Sequence, residues 1–342
     1  MEFDLILREF EKWNVGGDFS GVFSVRRQGE AEFEKAYGYR HLAEKLPNKT
    51  DTKMAIASGT KFFTALTVLS LIEGEALSPE RQIGEILDID FGAIDKRITI
   101  KQLLTHTSGI GDYCDETIGV DYEAIWHEKP CYRMLRIADF LPMFNRLPAK
   151  FAPGEGCEYN NSGFLLLGLV IEKITGKSYR DAATELVIDK CGLKNSGFYY
   201  SDRLPENSAM GYIEDEKTGE KRLNVFAVPI VGGPDGGTYS SAQDIETLWT
   251  KAFNGGLISP ETLGKMITPH SPIHGEGKSV SYGLGVFIIN RKDPSPQYYI
   301  IGGDPGVEFF SLYQADKTRV ITTLGNTGKN IWPLLSSIGG IE

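Results

Sequence analysis

Cysteine is scarce in this sequence, and no long apolar run is present. The chain has only four cysteines among 342 residues, and none lies in a C-x-x-C pair or at a zinc-ligand spacing. We therefore predict reduced, mostly buried thiols at Cys114, Cys131, Cys157 and Cys191. No segment approaches the roughly 18 apolar residues that a membrane span needs. The sequence thus argues against a zinc-binding protein and against a membrane partner.

Histidine is also sparse, with five residues scattered along the chain. His270 and His274 stand four apart, a spacing that would suit metal binding on a helix. Pro269 and Pro272 flank and interrupt them, so a loop is the better prediction. We predict no metal site and no cofactor.

Positive charge is outnumbered by negative charge. The formal net charge is -10 and the isoelectric point is about 5.2. Because an acidic surface repels phosphate backbones, a nucleic acid is not an expected partner. The hydrophobic content of 41% and the charged content of 24% are ordinary for a soluble globular protein. The length corresponds to one large domain or two modest ones.

The first 13 residues lack the apolar stretch of a secretion signal, because charges are scattered through them. Their apolar residues fit one face of a helix: Phe3, Ile6, Leu7, Phe10 and Trp13. A cytoplasmic location is predicted, unless a leader was removed before this numbering begins.

Strand patterns lie near both ends of the chain. Residues 21–26 and 31–39 alternate like a hairpin around a turn at 28–30. Helices are predicted over residues 58–72, 164–175 and 331–338, with Gly176 ending the second. Further strands are predicted over residues 282–290, 297–302, 308–314 and 319–325, and residues 77–200 are predicted to be mostly helical.

This order predicts an α/β protein of the α+β type. Residues 1–75 and 231–342 would form one antiparallel sheet flanked by the first and last helices. Residues 76–230 would form a mainly helical second lobe. A crevice between two lobes is a natural site for a small ligand. The sequence does not predict an oligomeric state.

Ser58 and Lys61 form the single S-x-x-K in the chain, at the predicted start of a helix. No G-x-S-x-G motif is present, so a different base must activate any nucleophilic serine. Residues three apart share a helix face, and burial can lower the pKa of lysine enough for it to act as a base. Alone the pattern is weak, because serine also caps helices and lysine is usually solvated. The apolar residues before and after Ser58 and Lys61 make a buried, catalytic lysine more plausible than the pattern alone does.

Tyr159 and Asn161 form the only Y-x-N in the chain. A phenol near Lys61 can share proton transfer, and an amide can bind a substrate carbonyl. Alone, this segment would more often be a surface turn rich in asparagine.

S-x-x-K followed about a hundred residues later by Y-x-N resembles the signature of class C β-lactamases and their relatives, which include D,D-peptidases, D-amino-acid amidases and peptidases, and esterases. Three more segments resemble segments of that family and occur in the same order along the chain. They are residues 98–109, which contain the family's LLTHTSG pattern, residues 151–168 and residues 232–244. The resemblance covers most of the chain. It implies a β-lactamase/transpeptidase-like fold.

By position, the resemblance implies that Ser58 is the acylated nucleophile. Lys61 and Tyr159 would be the proton-transfer pair and Asn161 a substrate-binding residue. His106 lies in a family segment but would pack or hydrogen-bond beneath the site.

The family's third motif, K-T-G or H-x-G, is not kept. Lys217, Thr218 and Gly219 spell it, but they lie in a charged stretch that predicts a solvated hairpin turn. The expected position, before Pro305 and Gly306, holds Ile300, Ile301 and Gly302 instead.

This departure bears on the substrate. Gly302 would allow close approach to the strand, and the N–H of Gly303 could join that of Ser58 in an oxyanion hole. Ile300 and Ile301 cannot anchor a substrate carboxylate, whereas Asp304 could favour an amine.

The first functional hypothesis is therefore a serine esterase or amidase that forms an acyl-enzyme on a small acyl substrate. A D-amino-acid peptidase, a carboxypeptidase or a β-lactamase is the second. A catalytically weak binding protein on the same fold is the third.

Overall fold

The computed structural model describes residues 2–119, 121–215, 217–272, 280–290 and 296–341. Its strands are β1 (Gly21–Arg27), β2 (Glu30–Tyr37), β3 (Tyr39–His41), β4 (Leu46–Pro47), β5 (Met54–Ala55), β6 (Tyr212–Glu214), β7 (Lys221–Leu223), β8 (Tyr239–Ser240), β9 (Ser271–Pro272), β10 (Val280–Tyr282), β11 (Phe287–Ile289), β12 (Gln297–Asp304), β13 (Val307–Gln314) and β14 (Arg319–Gly325). Its α-helices are α1 (Phe3–Trp13), α2 (Thr60–Glu73), α3 (Ile100–Leu104), α4 (Leu141–Phe144), α5 (Asn161–Thr175), α6 (Tyr179–Ala183), α7 (Ala242–Phe253), α8 (Pro260–Met266) and α9 (Trp332–Gly339).

Across these ranges, eight strands form one antiparallel sheet in the order β2-β1-β14-β13-β12-β11-β10-β9. The first hairpin closes through Gln28 and Gly29, both with positive φ, which suits the twist of a two-residue turn. Strand β1 then pairs with β14, from Gly21 opposite Gly325 to Arg27 opposite Arg319. The sheet thus combines β1 and β2, from near the start of the chain, with β9–β14 from its last third, as predicted.

Successive residues of β1 point to opposite faces of this sheet, and each face has its own core. Phe23 packs in a cluster with residues of α1 and α9, such as Phe10 and Leu335. Val22 packs in a larger cluster on the other face, which contains α2 and α5. Helix α2 is buried around nearly its whole circumference. The start of α2 therefore lies between the sheet and the helices that follow it in the chain.

Two predictions about secondary structure are wrong. Residues 282–290 do not form one strand, because the chain turns between β10 and β11 at Gly283 and Gly285. A Cβ at Gly283 would lie 2.2 Å from the Met266 carbonyl oxygen, and Gly285 has a φ of +80°. The middle of the chain is also less helical than predicted, because 3₁₀ turns and loops join its short helices.

Helix α5 begins at Asn161, three residues before the predicted start, because the Asn160 side chain accepts a hydrogen bond from the Gly163 N–H. All four cysteines are buried and free, as predicted. His270 lies beyond the end of α8, and His274 lies outside the described residues. No helix in the described part of the chain is long and apolar enough to cross a bilayer. The predicted domain boundaries at 75/76 and 230/231 stay a prediction.

Candidate active site

Ser58 lies in a single 3₁₀ turn, Ala57–Gly59, that leads directly into α2. Ala57 has a φ of +44°, a left-handed conformation that is unfavourable for alanine. The Ala57 carbonyl is held by the Thr60 hydroxyl at 2.7 Å and by the Gly237 N–H at 3.2 Å. These bonds fix the strained turn, so the Ser58 side chain is presented at the helix N-terminus.

Lys61 is the immediate neighbour of Ser58, as the i,i+3 spacing predicts. Its Nζ lies 3.0 Å from Ser58 Oγ, 2.7 Å from Asn161 Oδ1 and 2.7 Å from the Asp235 main-chain oxygen. The side chain is almost fully buried. Burial lowers the pKa of Lys61, and the Asp235 carboxylate opposes that effect most strongly among the nearby charges.

These contacts can be kept by the amine after it has lost its proton. A neutral amine has two N–H groups and one lone pair. Asn161 Oδ1 and the Asp235 oxygen can only accept hydrogen bonds, so they take the two N–H groups. The lone pair is then directed at Ser58 Oγ, where it can take the hydroxyl proton.

Tyr159 lies on the other side of Lys61, whose Nζ is 4.8 Å from the centre of the phenol ring. Burial raises the pKa of Tyr159 well above its usual value, and the Glu116 carboxylate adds to the rise. A hydrogen bond with the Ser58 side chain opposes this but does not outweigh it. The phenol is therefore protonated near neutral pH, which favours Lys61 as the base and Tyr159 as a proton donor.

His106 lies beneath Tyr159, with the two rings 4.6 Å apart. Its Nδ1 accepts a hydrogen bond from the Asn160 N–H. Burial lowers the pKa of His106 well below its usual value, and the Lys61 charge adds to the fall. The neutral ring thus supports the Tyr159 segment, which agrees with the predicted packing role.

Asn161 is fully engaged in hydrogen bonds. Its Oδ1 accepts from Lys61, and its Nδ2 donates to the Cys114 oxygen at 2.9 Å and to Glu116 Oε1 at 3.2 Å. The predicted role in binding a substrate carbonyl therefore requires Nδ2 to exchange one of these partners, and the exposed Glu116 is the one free to move away.

Gly302 lies against the Ser58 turn. A Cβ on Gly302 would lie 2.2 Å from the Ile56 oxygen and 2.7 Å from the Ser58 nitrogen. The glycine is therefore required by the close approach of β12 to the turn itself, in addition to the predicted approach of a substrate. Only glycine fits without moving backbone.

Gly303 is placed to join Ser58 in binding an oxyanion. Asp304 and Val307 close the two-residue hairpin between β12 and β13, and Gly303 pairs with Glu308. Because bonded and non-bonded pairs alternate along an antiparallel ladder, Gly303 directs its N–H away from β13. Strand β11 pairs with β12 only as far as Tyr299, so the N–H faces the edge where the Ser58 turn lies.

The third-motif position carries no cation. Ile300 is buried in the core, and Ile301 is half-buried at the wall of the cleft. Lys217, Thr218 and Gly219 are exposed in the turn between β6 and β7, as predicted. The structure therefore does not bring this K-T-G to the site.

In the described part of the chain, Ser58 lines two sizeable cavities. One is an open cleft of about 990 Å³, which Tyr159, Ile301 and Gly303 also line. The other is an enclosed pocket of about 80 Å³ walled by aromatic rings, including Tyr113 and Tyr239. A substrate that reaches Ser58 can thus place one part in the open cleft and another in the enclosed pocket.

The rim of the open cleft is acidic. Burial raises the pKa of Asp304 to about 7, and nearby carboxylates add to the rise. Burial and the Asp304 carboxyl raise the pKa of Glu308 to about 8. The lysines that line this cleft in the described part of the chain, Lys221 and Lys329, are each paired with a carboxylate.

Comparison with known proteins identifies the family of this chain. The Beta-lactamase family model matches residues 8–331. The chain belongs to the β-lactamase family. It is a serine hydrolase, and the predicted resemblance is confirmed.

Two relatives of this β-lactamase-family chain have names that indicate different activities. It is 27% identical over 329 residues to penicillin-binding protein 4* of Bacillus subtilis, covering 93% of this chain and 70% of that protein. It is 28% identical over 320 residues to esterase EstB of Burkholderia gladioli, covering 86% of this chain and 79% of that protein. A D-aminopeptidase of Cereibacter sphaeroides also matches, at 27% identity over 200 residues, covering 58% of this chain and 37% of that protein, so the family includes hydrolases of different substrates.

The fold of this β-lactamase-family chain is similar to that of a penicillin-binding protein from Bacillus halodurans. The TM-score is 0.90 at 34% identity, covering 98% of this chain and 99% of the other. The predicted fold class, a mixed protein with a large antiparallel sheet and helices, is confirmed.

Sequence reasoning missed two buried acids in this β-lactamase-family site. Asp112 accepts hydrogen bonds from the Asn161 N–H and from the Ser162 N–H and hydroxyl, which fixes the start of α5. Asp235 binds Lys61 through its main chain. Both lie in glycine-containing loops, where no hydrophobic periodicity predicts the structure. The sequence feature that could have identified them is their position, with Asp235 inside and Asp112 just after a segment that resembles the family.

Proposed function

We propose that the protein hydrolyses small esters or amides through an acyl-enzyme on Ser58. The observation that carries this proposal is the contact between Ser58 Oγ and a buried Lys61 whose other two contacts are both acceptors. The proposed partner is thus a small-molecule acyl substrate.

The reaction begins when the Lys61 amine takes the Ser58 proton and Oγ attacks the substrate carbonyl. The Ser58 and Gly303 N–H groups bind the resulting oxyanion, and each such donor contributes about 3–4 kcal/mol to the transition state. Tyr159 donates a proton to the leaving group and is reprotonated through Lys61. Water then attacks the acyl-enzyme along the reverse path, which regenerates Ser58.

The charge distribution supports substrates without a carboxylate. Ile300 and Ile301 occupy the third-motif position, and Lys221 and Lys329 are already paired. A substrate carboxylate would also meet Glu116 and Asp304 at the cleft, whereas Glu308, whose pKa is raised to about 8, is mostly protonated at neutral pH. Neutral acyl compounds avoid this repulsion, which is why an ester or amide is preferred here over a β-lactam.

A D-amino-acid peptidase or amidase is the second candidate, and the enclosed pocket favours it. Three carboxyl groups line this pocket beside Ser58: Glu116, Asp235 and Asp304. None of the described residues that line it is a lysine, an arginine or a histidine. Carboxylates and aromatic faces together attract an ammonium group, and D-aminopeptidases are among the relatives.

Kinetics of single variants test the acyl-enzyme. Ser58→Ala and Lys61→Ala are expected to lower kcat for p-nitrophenyl acetate by about 10⁴-fold or more, as loss of a nucleophile does in serine hydrolases. Lys217→Ala is the matched control, because that lysine is exposed in the β6–β7 turn. Undiminished turnover by purified Ser58→Ala would refute the proposal.

A fluorophosphonate probe separates an enzyme from a binding protein on the same fold. Mass spectrometry is expected to locate the adduct on Ser58, and an unlabelled native protein would favour the binding protein. D-Ala-p-nitroanilide, its N-acetylated form and nitrocefin then rank the substrates. Selective loss of turnover on N-acetylation would support the peptidase, and rapid nitrocefin hydrolysis would support the β-lactamase.

A further inference from the structure

The buried Asp235 is the acid most closely joined to Lys61. It lies in a loop, residues 232–237, that is hydrogen-bonded at three points to the Ser58 turn and the first turns of α2. The Pro234 oxygen accepts from the Thr64 hydroxyl at 2.6 Å, the Asp235 oxygen accepts from Lys61 at 2.7 Å, and the Gly237 N–H donates to Ala57. The loop therefore holds the Lys61 amine in place against Ser58.

The Asp235 carboxylate is fixed from a second direction. The Tyr113 hydroxyl donates to its Oδ2 at 2.6 Å. The Tyr113 N–H donates to the Ser162 hydroxyl, which donates in turn to Asp112 at the start of α5. One chain of hydrogen bonds thus connects the Asp235 loop to the segment that carries Asn161.

Lys61 has no direct ion pair with any described residue. Four carboxylates raise its pKa against the effect of burial, namely those of Asp235, Glu116, Asp112 and Asp304, with Asp235 the strongest. Other titratable groups near its amine are the Tyr159 phenol, the His106 imidazole and the Tyr282 phenol, which lines the same small cavity. Because Lys61 and Asp235 are both buried, a charge acts between them over several ångströms with little screening.

We infer that Asp235 is a positioning residue that acts through Lys61. Its main-chain oxygen fixes the amine, and its carboxylate charge sets the pH at which the amine becomes a base for Ser58. The inference rests on the proposed acyl-enzyme mechanism and adds the residue that controls the working pH range of its base.

The Asp235→Asn variant tests whether the negative charge of Asp235 affects Lys61, because asparagine has nearly the same shape. The asparagine keeps the main-chain contact with Lys61, and its Oδ1 can still accept from Tyr113, so the charge is lost while both contacts remain; its Nδ2 takes the place of the second oxygen. Without that charge, Lys61 loses its proton more easily. The acidic limb of the kcat/KM profile is therefore expected to move to lower pH by about one unit. The pH dependence of Ser58 labelling by a fluorophosphonate is expected to move equally.

Tyr113→Phe is the matched control, since it removes the hydrogen bond and keeps the carboxyl group. Burial raises the pKa of Asp235 and the Tyr113 bond opposes that rise, so this variant is expected to move the midpoint of the acidic limb much less than Asp235→Asn does, even where KM changes. A shift in Tyr113→Phe as large as that in Asp235→Asn would show a structural role and overturn the inference. Asp235→Ser, a second uncharged variant, guards against a folding defect specific to asparagine and is expected to show the same shift.

Ser58→Ala, measured in parallel, keeps the two proposals apart. If Ser58→Ala is inactive and neither uncharged variant moves the acidic limb, the role of Asp235 is refuted while the acyl-enzyme stands. If Ser58→Ala retains turnover, the acyl-enzyme itself is refuted.

Discussion

Replacing Gly302 by alanine would place a methyl group inside the backbone of the Ser58 turn. The new Cβ would lie 2.2 Å from the Ile56 oxygen, 2.7 Å from the Ser58 nitrogen and 2.8 Å from the Gly59 nitrogen. All three atoms belong to backbone, so no side chain can rotate away to relieve the contact. To restore an ordinary contact of about 3.4 Å, β12 and the turn must separate by about 1 Å.

A displacement of about 1 Å at a reacting group can reduce a rate about 10²-fold. Loss of one oxyanion donor costs about 10²–10³ in kcat, so we expect Gly302→Ala to lower kcat by at least about 10². Overpacking of this kind also lowers the free energy of unfolding by about 1–3 kcal/mol. Ester hydrolysis and urea unfolding measure the two effects.

Gly303→Ala is the matched control, one residue further along β12. Its Cβ would have no contact closer than 3.7 Å, to the carboxylate of Glu308. We expect this variant to keep the unfolding free energy of the parent. The reasoning about close approach fails if Gly302→Ala keeps the parental kcat and stability, or if both variants lose stability equally.

Two further predictions concern stability. The pKa of Glu308 is raised to about 8, so the folded state favours its protonated form. The stabilisation is complete below the ordinary carboxyl pKa and is lost as pH rises towards 8. Glu308→Gln should therefore raise Tm more at pH 8 than at pH 5, and a pH-independent difference would contradict this. Ala57→Gly relieves the φ of +44° and should keep or raise the unfolding free energy, by up to about 1 kcal/mol. Ala65→Gly, inside α2, should lower it by about 1 kcal/mol or more, and equal losses in both glycine variants would refute the strain.

Local periodicity is sufficient to predict the parts of this fold that depend on neighbours in sequence. The i,i+3 spacing of Ser58 and Lys61 predicts their 3.0 Å contact, because a helix brings residues three apart to one face. Alternation predicts strands such as β1, β13 and β14 within a residue or two of their bounds. Their antiparallel pairing follows from the order of the strands along the chain.

Contacts that depend on docking between distant segments were not predicted. Asp112 and Asp235 reach the site only because α5 and the 232–237 loop pack on α2, and neither residue lies in a periodic segment. The split between β10 and β11 was hidden because apolar residues continue through the turn. The catalytic roles of Ser58, Lys61, Tyr159, Asn161, Gly302 and Gly303 stay predictions until the variants are measured.

The pairing of β1 with β14 also bears on how the protein is made. Gly21 and its partner Gly325 are separated by nearly the whole sequence. On the ribosome, β1 therefore has only β2 to pair with until almost every other residue has been translated. Such long-range pairing makes folding slow. A chain that stops before β12 has Ser58 and Lys61 but no Gly302 or Gly303 beside them. Translation products that end before β12 are thus expected to be inactive.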